Sequence, residues 1–455
     1  MNDNLYKQII NLNQQKSMKK TILTLILTAA LLPFAASAQN VKFEEYDLDN
    51  GLHVILSQNH KTPNVVISVM YHVGSKNEEP HLTGFAHFFE HLMFEGTENI
   101  GRGEYATYVS EAGGSLNANT SNDRTYYFEL LPSNQLELGM WLESERMLHP
   151  KIEEIGVNTQ KDVVCQEMGQ TRDNQPYGTA FTKILTNSFK VHPYNHDVLG
   201  SEEHIRNASI QDFQDFHDMF YKPNNAVLVI CGDFDTKQTK EWIEEYFGDI
   251  PAGTVEPRRP DPNMEPKRTE PIKDTVYDNI QMPMLIEVYP APAYGTEDYF
   301  AMNVFNSILS AGNSARLQKQ IVDTKKTGLM AGGGVMPFEH PGVFMIQGIP
   351  NGVDLSVLEA DIDAEVYGLL ENGMSDEEFQ KVMNMVEMSE ATSNTTIEGV
   401  AESLATAYTY LKNTNFVNET MEQYSKLTKE KVLEVARKYI DPAQKISIYY
   451  LPKQN

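Results

Sequence analysis

The pattern of strands and helices in this chain runs twice, on either side of a stretch rich in Pro, Arg, Lys and Glu at residues 251–273. In the first copy, alternating segments 43–48 and 52–56 flank Asn50-Gly51, a dipeptide that favours a tight hairpin turn. A more apolar strand follows at 65–73, then helical patterns at 84–93 and 104–111. Gly113-Gly114 introduces a second hairpin, 117–121 with 125–130, before helices at 136–147 and 153–170. A buried strand at 226–231 and a helix at 239–247 close the copy. Beyond the polar stretch, strand 283–289 answers 65–71, and helix 299–309 answers 84–93. The endings match as well. Phe220-Tyr221-Lys222-Pro223 precedes strand 226–231 much as Lys438-Tyr439-Ile440-Asp441-Pro442 precedes strand 445–450. The reading is an α+β fold of two tandem homologous domains, 39–252 and 274–455, joined by a linker at 253–273. Strands and helices that segregate rather than alternate predict a mainly antiparallel sheet with helices on one face in each domain.

The first 38 residues read as a leader and signal peptide. Lys19 and Lys20 precede an apolar run over 21–34, and Ala36-Ser37-Ala38 offers small residues for cleavage after Ala38. The run is shorter than the roughly 20 residues a membrane span needs. Met18 stands directly before the lysines and is an alternative start. Cleavage leaves 417 of 455 residues and no later apolar run long enough to cross a bilayer, so the mature chain is expected to be exported to the periplasm or secreted. The formal charge is −26, and loss of four Lys and one Asp with the leader makes it −29. Such a chain has little with which to neutralise phosphates, which excludes nucleic acid as a partner. Cys165 and Cys231 both lie in apolar patterns and read as buried thiols.

The chemistry is concentrated in Gly84-Phe85-Ala86-His87-Phe88-Phe89-Glu90-His91-Leu92-Met93-Phe94-Glu95-Gly96-Thr97. On a helix, His87 and His91 project from one face and can share one ion. Two neutral imidazoles and a carboxylate among phenylalanines would be costly to bury without a partner, and a zinc ion satisfies them. Glu90 lies beside the pair without being an obligatory ligand, placed to accept a proton from a water at the metal. A third protein ligand is needed. Glu167 stands on the same side of its helix as Val163 and Val164, and spacing alone leaves it either a ligand or an ordinary helical glutamate. His192 and His196 repeat the four-residue spacing, but Pro193 and Asn195 make that segment a structural loop.

These segments resemble the inverted-zinc-motif peptidases of the insulinase, pitrilysin and mitochondrial-processing-peptidase group, over essentially the whole mature chain. The resemblance rests on His87-Phe88-Phe89-Glu90-His91 and on Val163-Val164-Cys165-Gln166-Glu167 with Asp173-Asn174-Gln175-Pro176-Tyr177-Gly178 close behind. It implies His87, His91 and Glu167 as ligands of one zinc ion per chain, and Glu90 as the catalytic base. It also implies two roll domains forming half of a clam-like chamber, with peptide substrates added to an edge strand at Asn117 and Ala118. Two departures stand out. Gln160 occupies a place where many relatives carry a second Glu, and an amide there could still orient Glu167 by hydrogen bonding. Ser314-Ala315-Arg316-Leu317 resembles a substrate-binding Arg segment, whereas Gly328-Leu329-Met330-Ala331 lacks the accompanying Tyr. The expectation is a zinc-dependent peptidase working as a homodimer, or as a heterodimer with a chain that supplies an Arg/Tyr pair. The alternative is a non-catalytic or partner-dependent subunit.

Overall fold

The computed structural model describes residues 40–453. The leader and the cleavage point after Ala38 lie outside the described residues. Among the described residues, no helix is long and apolar enough to cross a membrane.

Two mixed sheets carry the chain. The first contains β1 (Glu44–Asp47), β2 (His53–Gln58), β3 (Asn64–Tyr71), β4 (Ser115–Thr120), β5 (Thr125–Pro132) and β6 (Ala226–Gly232), in the order β1-β2-β6-β3-β5-β4. The second contains β7 (Ile272–Asp278), β8 (Met284–Ala291), β9 (Gly328–Met336), β10 (Gly342–Pro350) and β11 (Ile446–Pro452), in the order β7-β11-β8-β10-β9. Apart from β1, the two orders are the same. In each, the last strand of its half inserts between the first and second, parallel to one and antiparallel to the other. The insertion explains why β6 reads as an unbroken apolar run: all seven of its residues are buried.

The hairpin around Asn50-Gly51 forms as the sequence implies, with Gly51 at φ 84° and Glu44 paired to Leu56. The helices Phe85–Leu92, Glu104–Glu111, Leu136–Leu148 and Glu154–Met168 fall where periodicity puts them. The last continues as a wider π-helical turn, Gly169–Asp173. Both cysteines are buried free thiols.

Each sheet packs helices of its own half on one face. The other face is covered by a helix from the opposite half. Ala401, Leu404 and Ala405 of helix Ile397–Leu411 pack on Ile55, Val66, Met70 and Val229 of the first sheet. Ile184 and Leu185 of helix Ala180–Ser188 pack on Ile286, Val288, Ile446 and Ile448 of the second. Apolar periodicity marks these helices as amphipathic but does not say whose sheet they cover.

The segment between the sheets is tied down. Arg259 donates to the His72 carbonyl at 2.6 Å, Arg268 to the Gln444 carbonyl at 2.5 Å, and Glu265 accepts from the backbone of residues 190–192. A buried ion cluster adds to this seam. Lys76 reaches Asp123 at 2.7 Å and also bonds Glu339, which accepts from His72 at 2.7 Å. Burial alone would raise the Glu339 carboxyl, yet His72 and Lys76 hold it down at about 2.

Under the first sheet, the fully buried Arg146 donates to Glu129 and Glu143, each at 2.7 Å, and lies 4.4–4.6 Å from the centroids of the Phe94, Tyr105 and Tyr127 rings. Burial and the neighbouring Glu143 push the Glu129 carboxyl well up. Arg146→Met strands two carboxylates and should remove roughly 3–5 kcal/mol of unfolding free energy in urea titration. For Glu339, the folded value lies below that of an unfolded glutamate, about 4.3. Its contribution is therefore full above that pH and is lost as the pH falls through about 2. The stability gap between wild type and Glu339→Gln should narrow steadily as unfolding is measured from pH 5 downward.

Candidate metal centre

Helix Phe85–Leu92 is apolar on most of its surface. Phe85, Phe88 and Phe89 stack against Phe213, Phe216 and Tyr221, which fixes the helix rotation. The remaining face presents His87, almost wholly buried, and the half-buried His91. Glu167, at the end of helix Glu154–Met168, comes to the same point from the facing helix. The two Nε2 atoms are 3.4 Å apart, and Glu167 oxygens lie 3.6 Å from His87 Nε2 and 3.2 Å from His91 Nε2.

That triangle has the dimensions of an ion site. A tetrahedral zinc at ~2.0–2.1 Å from each ligand spaces its ligands by roughly 3.3–3.4 Å. The donor set of two imidazoles and a carboxylate also suits zinc with one position left open. Burial pulls His87 down to about 4, which keeps the ring neutral as a ligand must be. The hydrogen bond from His91 and the nearby His87 hold the Glu167 carboxyl below its usual range. Nδ1 of His87 is buried without a partner among the described residues, so no hydrogen bond at that nitrogen orients the ring.

Glu90 projects from the same helix toward β4, where Thr120 donates to its Oε2 at 2.6 Å. Burial raises the Glu90 carboxyl, and the Thr120 bond opposes that rise. Asn117 and Ala118 lie on this same strand, which is an edge of the sheet. The Ala118 N–H donates to Asn117 Oδ1 at 2.9 Å, so it is turned away from β5. An unpaired strand edge therefore runs past Thr120, the hydrogen-bond partner of Glu90.

Two supports of the site carry no signal in periodicity. Glu78, fully buried in a loop, accepts from the Gly84 and Ala86 N–H groups at 2.8 Å each and pairs with His196 at 2.9 Å. It closes the start of the histidine-bearing helix, where the helix dipole favours negative charge. The loop carrying His196 passes so close that a Cβ on Gly200 would lie 2.2 Å from the Gly84 nitrogen. Its other histidine, His192, bonds His340 instead, at 2.9 Å, so the loop is structural as its proline implies.

Gln160 does not orient Glu167. Its amide donates to Glu95, which also binds Arg102, because its position faces the turn after the histidine helix. Arg316 sits in the second half in a two-pronged pair with Glu378, at 2.7 and 2.9 Å, and donates to the Gly373 carbonyl at 2.9 Å. Its guanidinium is thus satisfied within its own half and makes no hydrogen bond to Asn117 or Ala118 among the described residues. A second acidic cluster, Glu287, Glu359 and Asp363, already holds a cation: Lys445 Nζ lies 2.7–3.1 Å from all three.

Residues 53–202, which include the histidines and Glu167, match the model described as insulinase (peptidase family M16), and residues 207–386 match that of the peptidase M16 inactive domain. The chain belongs to the M16 peptidase family. The inactive-domain match excludes His87, Glu90, His91 and Glu167 by position. A relative from Helicobacter pylori named zinc protease PqqE is 27% identical over 416 residues, spanning 90% of this chain and 93% of that one. The crystal structure of a protease from Helicobacter pylori superimposes with a TM-score of 0.85 at 27% identity, covering 90% of this chain and 99% of that one. The periplasmic protease PqqL from Escherichia coli shares the fold at a TM-score of 0.76 and 19% identity, with 92% of this chain covering 48% of that one.

Glu78→Ala frees two helix N–H groups and His196, and should lower unfolding free energy by roughly 2–3 kcal/mol, measured by chemical denaturation.

Proposed function

We propose that this chain is a zinc-dependent endopeptidase or oligopeptidase, with His87, His91 and Glu167 as the ligands of one zinc ion. The observation that carries the reading is the 3.2–3.6 Å triangle of donor atoms drawn from two helices, with Glu167 standing 76 positions after His91. Zinc bound there would polarise a peptide carbonyl and make an adjacent water acidic. The chain's own residues then do the rest. Glu90 takes the proton of the attacking water and passes it to the leaving amine, its raised affinity for a proton suiting it to both transfers. Thr120 holds the carboxylate facing β4. The substrate backbone adds to the β4 edge at Asn117 and Ala118, which aligns the scissile bond with Glu90.

Domains 39–252 and 274–455 together form one half of a chamber, and the other half is a second chain. That chain is a second copy or a relative that supplies an Arg/Tyr pair. This need follows from Arg316 being occupied by Glu378, and from Leu329 and Met330 standing where a tyrosine is expected. The same observation favours the second reading, a partner-dependent or non-catalytic subunit. Export through the segment ending at Ala38 places the mature chain in the periplasm or outside the cell.

Purified full chain should retain one zinc per chain by metal analysis, and cleave unstructured peptides in a chelator-sensitive way. Glu90→Gln should keep the metal and lose at least a hundredfold in kcat. Glu167→Ala should lose most of the metal. Cleavage that survives chelation, or full activity in Glu90→Gln, overturns the mechanism. Cleavage that appears only after a second chain is added establishes the partner-dependent reading.

A further inference from the structure

A cavity of about 320 Å³ opens at the seam between the first sheet, the connecting segment and helix Ile397–Leu411. It lies at the small end of the range for small-molecule sites, roughly 300–1,000 Å³. Arg259 and Lys412 line it. Neither has a carboxylate within ion-pair distance among the described residues, in a chain with 63 acidic residues against 37 basic ones. Arg259 is braced by the His72 carbonyl and Asn225, and the Lys412 ammonium lies over the Tyr408 ring at 4.5 Å. Packing against the surrounding protein pulls both cations below their usual values, although both residues keep solvent-exposed surface, and in Lys412 the nearby Arg259 adds to the effect. The carboxyl end of helix Ile397–Leu411 accounts for a lysine at Lys412. It does not account for Arg259.

Two further residues that line the same space carry a polar group without a partner among the described residues. Thr409 is 1% exposed and lines the cavity, and its hydroxyl has no partner among the described residues. The proton on His340 can be traced through its neighbours. The Tyr194 N–H donates to His192 Nδ1 at 3.2 Å, so neutral His192 carries its proton on Nε2. That proton goes to His340 Nδ1 at 2.9 Å, which leaves His340 with an N–H at Nε2. His340 lines the cavity, and this N–H has no partner among the described residues. Two carboxylates also line the space. Glu339 is offset by Lys76 and His72, and Glu256 remains as the opposing charge.

We propose that this cavity binds a small oxyanion, a phosphate or carboxylate group, through Arg259, Lys412, the Thr409 hydroxyl and His340 Nε2–H. The bound anion joins the connecting segment to helix Ile397–Leu411. The site is separate from the metal centre and does not rest on the peptidase reading.

Calorimetric titration of the full chain with inorganic phosphate, and separately with succinate, at ionic strength held constant with sodium chloride, tests this. Saturable binding at one site per chain is expected for at least one of them, and which one binds identifies the source of the oxyanion. Lys412→Met removes a cation that makes no hydrogen bond among the described residues and should weaken binding at least tenfold. Thr409→Val keeps the shape of its side chain and should weaken it severalfold. Absence of saturable binding by either anion overturns the proposal. So does binding that is unchanged in both variants, which is the outcome for an anion held at the metal.

Discussion

A helix of eight residues cannot hold itself in water, since isolated helices shorter than about 12–15 residues are marginal. Helix Phe85–Leu92 nevertheless carries two of the three converging donor atoms, and Glu90 beside them. Its rigidity is supplied from outside. Glu78 closes its first turn, the Tyr127 hydroxyl donates to the Phe89 carbonyl at 3.0 Å, and the rings of Phe213, Phe216 and Tyr221 lock its rotation. Everything the site does depends on that external grip. A shift of one ångström in the histidine pair would spoil a triangle whose sides are all within a few tenths of the tetrahedral spacing.

The second organising constraint is electrostatic. The chain is strongly acidic, and its buried cations are enclosed by more carboxylates than they can neutralise. Arg146 lies between Glu129 and Glu143, Lys76 between Asp123 and Glu339, and Lys445 among Glu287, Glu359 and Asp363. In the last group burial lifts the Glu287 carboxyl to about 8 despite Lys445, so it is largely protonated at neutral pH. Each cluster sits where a strand meets a helix or where the two sheets adjoin, positions at which charge pairing adds specificity to apolar packing.

Much of this was legible in the residues themselves. The four-residue spacing of His87 and His91, the hairpin at Asn50-Gly51 and the repeated endings at Pro223 and Pro442 are local signals, and local signals survive into the fold. The M16 family, reached from those motifs, agrees with the matches at 53–202 and 207–386. What escaped was non-local. Glu78 belongs to no periodic segment, Thr120 looks like any strand threonine, and Gln160, which an amide's chemistry would allow to orient Glu167, pairs with Glu95 instead. Spacing along one helix says which face a residue occupies, not which of two neighbouring carboxylates lies opposite. Arg316 shows the same limit, because Glu378, 62 positions later, claims its guanidinium.

The crossed helices have a consequence for how the protein is made. However the chain emerges from its amino end, the strands of the first sheet are all available once β6 is out, but Ile55, Val66 and Val229 have no cover until residues 397–411 follow. For well over a hundred residues of elongation the nascent protein exposes a sticky β surface, a natural target for holding chaperones. A nick in the connecting segment would not yield two self-sufficient modules either. Each fragment would carry away the other's lid.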